Sequence, residues 1–222
     1  MESPSRAAAR AFDTIGADYE RAYGGLPGRR ALLERLVAVT PPGGRVLDIG
    51  SGTGRPTAEV LTAAGLRVTG IDVSAEMVAL ARRRVPGAVF EVADVLTYAA
   101  DDAGLDAVCA FFSLFHMTRA ELAERLSSIA RWLRPGGHLA LATLAADAEL
   151  AEIELMGMRV PVTSYPADEY PRHLAAAGFT VVSAETAEFV PGAHGGRAEE
   201  HLYCLARRPP APTGPTAPGD RA

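Results

Sequence analysis

At 222 residues, 48% of them hydrophobic and 22% charged, the chain suits one α/β domain with a sizeable core, and neither two full domains nor a disordered polymer. A net charge of −5 without a basic cluster argues against unaided binding to nucleic acid. No apolar run approaches the ~20 residues that span a bilayer, and the N-terminus has no apolar leader; a cytoplasmic protein without membrane partners is expected. Lysine is absent and all 22 basic residues are arginine, a compositional bias that makes Arg82-Arg83-Arg84 a solvated helix face. Cys109 and Cys204 sit in apolar runs without ligand spacing, as buried thiols in a reducing compartment do.

Residues 1–40 read as helical. Ala7, Ala8, Ala11, Phe12 and Ile15 recur at helical spacing, and Leu32, Leu33, Leu36 and Val37 do so after a Gly24–Gly28 break. Val46 to Ile49 then forms a short apolar strand ending in Asp48-Ile49-Gly50-Ser51-Gly52-Thr53-Gly54. The alternate glycines allow a tight turn in which the backbone can lie against a ligand. A helix follows from about Arg55, with Pro56 tolerable in its first turn. The spacing is not the G-x-G-x-x-G of dinucleotide sites. An acid inside the strand suits a cationic or zwitterionic group better than a pyrophosphate.

Arg67 to Asp72 is a second strand ending in an acid, and Ser74 caps the next helix with Glu76 near its amino end. The Asp72 carboxylate can accept from both hydroxyls of a ribose or cap that helix. Ala88–Ala93 is a third strand followed by Asp94-Val95, and Leu105–Phe112 a fourth, apolar enough to be covered on both faces. Ser113-Leu114-Phe115-His116-Met117 comes next. Thr118 and Glu121 form a capping box, with Met117 and Leu122 spaced as a hydrophobic staple. His116 therefore stands just outside a well-defined helix start, where an imidazole can take a proton or hydrogen-bond the loop. Leu133–Ala142 is a helix end, a Pro-Gly-Gly turn and a fifth strand. Residues 145–166 form an apolar, adaptable insert rich in Met156, Met158 and Tyr165. Asp168 is expected to cap the following helix, with Pro171 in its first turn and Gly178 as its stop. Phe179–Val190 and Glu200–Arg207 close the sheet as an antiparallel pair, and 209–222 has the composition of a disordered tail.

The Val46–Gly54 stretch resembles the first motif of class I S-adenosylmethionine-dependent methyltransferases, small-molecule type, and the resemblance runs in order through most of residues 12–207. It implies a doubly wound, Rossmann-like seven-stranded sheet, mostly parallel with an antiparallel C-terminal strand, under an N-terminal helical cap (1–40). The methyltransferase domain would span 41–208, with the insert at 145–166 helping to build the substrate pocket. S-adenosylmethionine would be the cofactor. Its contacts would come from Asp48, Gly50, Ser51, Gly52 and Phe111, with Asp72 on the ribose, Val73 and Met77 against the adenine, Asp94 near the adenine amino group and Val95 at the ring edge. Tyr19 would line the site from the cap or simply pack the cap onto the core. His116, in the segment matching the family's fourth motif, is the first candidate for a base, with Tyr19 as positioning group. No Asn/Asp-Pro-Pro-aromatic tetrad, magnesium-type acid cluster or paired histidines are present, so no metal is expected. The implied reaction is methyl transfer to O, N or C of a small apolar or aromatic metabolite by a monomer or homodimer. Alternatives are a cofactor-bound scaffold for another reaction, such as a cyclisation, and a non-catalytic partner subunit.

Overall fold

The computed structural model describes residues 3–23, 25–190 and 198–211. Helices α1 (Pro4–Ile15), α2 (Asp18–Tyr23) and α3 (Pro27–Val39) precede the sheet. The strands are β1 (Arg45–Ile49), β2 (Arg67–Asp72), β3 (Val89–Val92), β4 (Leu105–Phe111) and β5 (Leu133–Leu144), then β6 (Ala148–Leu155), β7 (Met158–Ser164), β8 (Thr180–Phe189) and β9 (Glu199–Arg207). Helices α4 (Thr57–Ala63), α5 (Ala75–Arg84), α6 (Arg119–Trp132) and α7 (Tyr170–Ala176) lie between them.

The main sheet has seven strands in the order β3-β2-β1-β4-β5-β9-β8. Strands β3 to β5 pair in parallel, whereas β9 runs antiparallel to both β5 and β8. The order reverses between β1 and β4, which leaves a crevice at their carboxyl ends. Period-two alternation divides the core. Leu47, Ile49, Val108 and Leu139 face α6 and α7 with Leu126, Ile129 and Leu174; Val46, Val68, Ala107 and Leu205 face α3 and α4 with Leu33, Leu36 and Leu61.

Helix boundaries follow local chemistry. Ser74 Oγ accepts from the Met77 N–H at 3.1 Å, and the Thr118/Glu121 capping box is complete. Met117 and Leu122 meet in one apolar cluster, as a staple requires. Several details depart from the sequence expectations. The N-terminal helices break at Gly16 as well as near residue 24, and Gly28 lies inside α3 rather than in the break. A Cβ on Gly28 would stand 2.4 Å from the Tyr203 ring, so the glycine serves helix–sheet packing. Helix α4 starts at Thr57, one residue past Pro56. Strand β5 begins directly after α6, at Leu133, and takes up the Pro-Gly-Gly turn as a register shift. Asp168 caps nothing: it is exposed in a 3-10 turn (Ala167–Glu169), and α7 starts without a side-chain cap. The insert is a β-hairpin, β6–β7, separate from the main sheet. Pro209 to Ala211 have no regular structure, and the remainder of the expected tail, 212–222, lies outside the described residues.

Candidate functional site

The glycine turn after β1 folds over the end of β2. Gly50 and Ser51 donate their N–H groups to Ile71 O at 2.8 and 3.0 Å, Gly54 donates to Ser51 O, and Gly52 donates to Asp72 Oδ2 at 2.8 Å. Four amides of the turn are thus spent internally, leaving no ready nest for a phosphate. Gly50, Gly52 and Gly54 all have positive φ. A Cβ on Gly50 would stand 2.2 Å from Ser113 Cβ, whereas one on Gly52 would meet no protein atom and project into open space.

The turn borders an apolar chamber between the carboxyl ends of β1, β2 and β4 and the helices α1 and α5. Of the sequence-predicted residues, Tyr19, Gly50, Gly52, Asp72, Val73, Met77, Val95, Phe111 and His116 line it. Asp48 and Ser51 line an adjoining polar recess, together with Tyr19, Gly50, Gly52 and Phe111. Asp94 lines neither. Its Oδ1 accepts from the Leu96 N–H at 2.9 Å and its Oδ2 from Ser5 Oγ, while its neighbours Ala93 and Val95 reach the chamber.

Asp72 is buried at the strand tip and oriented by two backbone donors, Gly52 N–H and Ser74 N–H (2.9 Å). Burial raises its pKa and those hydrogen bonds oppose the rise. Asp48 is pushed up to about 7 by burial and by the nearby Asp72 charge, with Arg29 working the other way. Its Oδ2 and Ser51 Oγ are buried without a hydrogen-bond partner. The recess therefore offers acceptor atoms to a cationic group, beside the guanidinium of Arg29.

His116 is 7% exposed. Its Nδ1 lies 2.7 Å from Pro161 O. A carbonyl can only accept, so Nδ1 carries the proton and Nε2 keeps a lone pair, buried and unpartnered. Desolvation lowers the pKa to about 4, so the ring is neutral at pH 7. The hairpin thereby sets the tautomer, and a second bond from Thr163 N–H to Phe115 O ties it to the same segment. Phe112 holds φ +55° where β4 meets this segment and lines the chamber, a strained conformation of the kind that clusters at functional sites.

Helices α1 and α2 close the chamber. Asp13 Oδ1 accepts from Ser74 Oγ at 2.6 Å. Glu20 accepts from Thr53 Oγ1 at 2.7 Å and pairs with Arg84. Tyr19 is half-buried, and desolvation pushes its hydroxyl up to about 12. The sequence reasoning missed Arg29 and Glu20. Both lie outside any motif, and only docking of α2 and α3 brings them to the turn. Among the described residues no three His, Cys, Asp or Glu side chains converge as a metal site requires.

Residues 46–137 match the family described as a methyltransferase domain. The chain carries a methyltransferase domain. Around this domain, the chain is 39% identical over 171 residues to 27-O-demethylrifamycin SV methyltransferase of Amycolatopsis mediterranei (strain S699), covering 69% of this chain and 61% of that protein. The chain spans only 46–61% of the first curated relatives it matches. Burkholderia thailandensis 1,6-didemethyltoxoflavin-N1-methyltransferase, solved with 1,6-didemethyltoxoflavin and S-adenosylhomocysteine, shares the fold at TM-score 0.71 and 23% identity over 94% of this chain and 92% of that one. The [4+2]-cyclase SpnF does so at TM-score 0.72 and 21% identity, over 95% and 98%. The doubly wound sheet with an antiparallel C-terminal pair is thus the fold of these proteins.

Proposed function

We propose that the methyltransferase domain binds S-adenosylmethionine across the two adjoining cavities and directs its methyl group to O, N or C of a small apolar or aromatic acceptor. The observation that carries this is the junction itself: an apolar chamber with an oriented Asp72 meets a polar recess, lined by both Asp48 and Arg29, at Gly50, Gly52 and Tyr19. The residues fit the group. Val73, Met77 and Val95 offer apolar contact to a flat ring, and the Asp72 oxygens have lone pairs left for ribose hydroxyls. Asp48 and Ser51 offer acceptors to an ammonium, and Arg29 a guanidinium to a carboxylate.

When bound, the cofactor supplies a methyl carbon made electrophilic by a sulfonium. The chain's own residues then have modest work: to hold the acceptor in line and exclude water, worth ~7–11 kcal/mol of barrier. Phe12, Tyr19 and Phe112 wall the chamber against water. His116 Nε2 is the group that would take the acceptor's proton, a further ~10²–10⁴ in rate where the acceptor enters protonated.

Methyl transfer is favoured over cyclisation or a non-catalytic role because the 39% identical relative is a methyltransferase, whereas the cyclase likeness, at 21%, is one of fold. The net charge of −5 and two free, buried thiols support a cytoplasmic protein without nucleic-acid partners; a monomer or homodimer that needs no metal completes the proposal. Calorimetric titration with S-adenosylmethionine and S-adenosylhomocysteine tests the assignment. Binding is expected, weakened by ~1.5–3 kcal/mol in Asp72→Ala, the scale of hydrogen bonds to a charged group. A folded wild-type protein that takes up neither compound refutes it.

A further inference from the structure

A third cavity opens beside the first. Phe12, Tyr19 and Phe112 wall both. Its far side is built from the hairpin residues Ile153, Leu155 and Val160, and its wall includes Phe115 and Tyr23. In this aromatic and aliphatic chamber Glu199 is the one carboxylate among the lining residues, and His201 lies next to it.

His201 is 1% exposed, packed against Phe112 at 4.7 Å and stacked on Phe189 at 5.2 Å and 28°, whereas the Glu199 side chain keeps 33% of its surface exposed at the rim of the cavity. The His201 Nε2 lies 3.1 Å from Glu199 Oε2 and its Nδ1 3.4 Å from the Tyr203 hydroxyl. A carboxylate oxygen accepts, so Nε2–H donates to Glu199 while the Tyr203 hydroxyl partners Nδ1, which holds Glu199 in one orientation. The Glu199 charge is felt across the cavity: it helps to raise the pKa of both Tyr19 and Tyr23. A carboxylate has about four lone-pair sites, and the histidine uses one.

We propose that this chamber receives the methyl acceptor, and that Glu199, positioned by His201, selects acceptors bearing an O–H or N–H donor on an apolar, ring-sized body. The proposal rests on the methyltransferase assignment above. Desolvating Glu199 against an apolar guest is costly unless the guest returns a hydrogen bond. A site built to bind a hydroxyl rejects the analogue lacking one far more strongly than a hydrophobic wall discriminates by size. Glu199 is thus the specificity-determining group and His201 a positioning residue that acts through it.

The test uses the full chain saturated with S-adenosylhomocysteine, so that the cofactor chamber is filled. Two probes of like shape, 2-naphthol and 2-methoxynaphthalene, are titrated by calorimetry. The wild type is expected to bind the naphthol at least tenfold more tightly than its methyl ether. Glu199→Leu should bring the two within about twofold of each other, with S-adenosylhomocysteine affinity unchanged. His201→Phe keeps the ring stacking but has no N–H, and should also erode the preference; His201→Gln, which can donate, should restore part of it. A purely structural His201 would move the melting temperature and leave the ratio intact, and that result overturns its positioning role. Should Glu199→Leu not fold, Glu199→Gln, which weakens the acceptor but keeps the shape, is expected to narrow the ratio. Equal affinity of the wild type for both probes, or uptake of neither by cofactor-loaded protein, overturns the proposal. Failure to take up S-adenosylhomocysteine removes the methyltransferase assignment, and the proposal with it, on separate grounds.

Discussion

At the residue scale two of the buried titratable groups of the site, Asp48 and His116, pull in opposite directions. Asp48 is raised from its ordinary value to about 7 and His116 is lowered to about 4, both chiefly by desolvation. A cationic group entering the recess favours ionised Asp48. Cofactor binding near pH 6.5 should therefore release a proton, seen in calorimetry as a heat that depends on the ionisation enthalpy of the buffer; Asp48→Asn should abolish that dependence. If His116 is the base, the acid limb of turnover lies near pH 4 rather than in the ordinary imidazole range. His116→Ala should lower turnover ~10²-fold or more and lose that limb, with cofactor affinity nearly unchanged. Full activity in that variant would remove the role.

At the element scale, α2 is six residues long and buries no residue fully, too short to hold itself as a helix. It is held by Glu20, which reaches both Thr53 in the glycine turn and Arg84 at the end of α5. Glu20→Ala should release α2 and with it Tyr19, weakening S-adenosylhomocysteine binding by ~1 kcal/mol while leaving global stability almost unchanged. Equal affinity in the variant would mean that α2 is held by its aromatic contacts alone, Phe12–Tyr19 and Tyr19–Tyr23. Helix α6 is different: its capping box is local, so Thr118→Ala should cost about 1 kcal/mol in denaturant melts without touching the cofactor.

Across the whole molecule, pH and ligand act on one folding equilibrium. Asp48 has a raised folded pKa, so its contribution is fully present below about pH 4 and is lost as pH rises through about 7. His116 has a depressed one, so its contribution is present above about pH 6.5 and is lost as pH falls through about 4. Asp48→Asn should flatten the first slope and His116→Gln the second, in melts followed from pH 4 to 8. Since the cofactor cavities are closed by α1 and α2 against the sheet, S-adenosylhomocysteine at 100 times its Kd should add ~2.7 kcal/mol to stability.

Strand sequence and helix starts were legible because their causes are local. The apolar alternation of β1, the Ser74 and Thr118 caps and the glycine turn each act within a few residues, and so the order of elements and many of the residues that line the two cavities could be read from the chain. Gly28 could not be understood this way, because the ring it accommodates, Tyr203, is far along the chain. Asp168 was misjudged for a related reason: a side chain that can cap does so only if the backbone turns toward it, and here a 3-10 turn intervenes. The hairpin of 148–164 was hidden by its unusual burial, one strand largely exposed and the other packed on α1 and Phe115. Its consequence for His116 was hidden with it, since the Pro161 carbonyl that sets the tautomer is 45 residues away in sequence. Arg29, Glu20 and the Glu199–His201 pair have no motif at all. By itself, then, the sequence determined the sheet, the glycine turn and the acids at the strand tips, which follow from backbone propensity and periodicity. Only the tertiary structure decided which charges share a cavity and which protons they hold, because burial and long-range contact, not sequence neighbours, set the free energy of a charge.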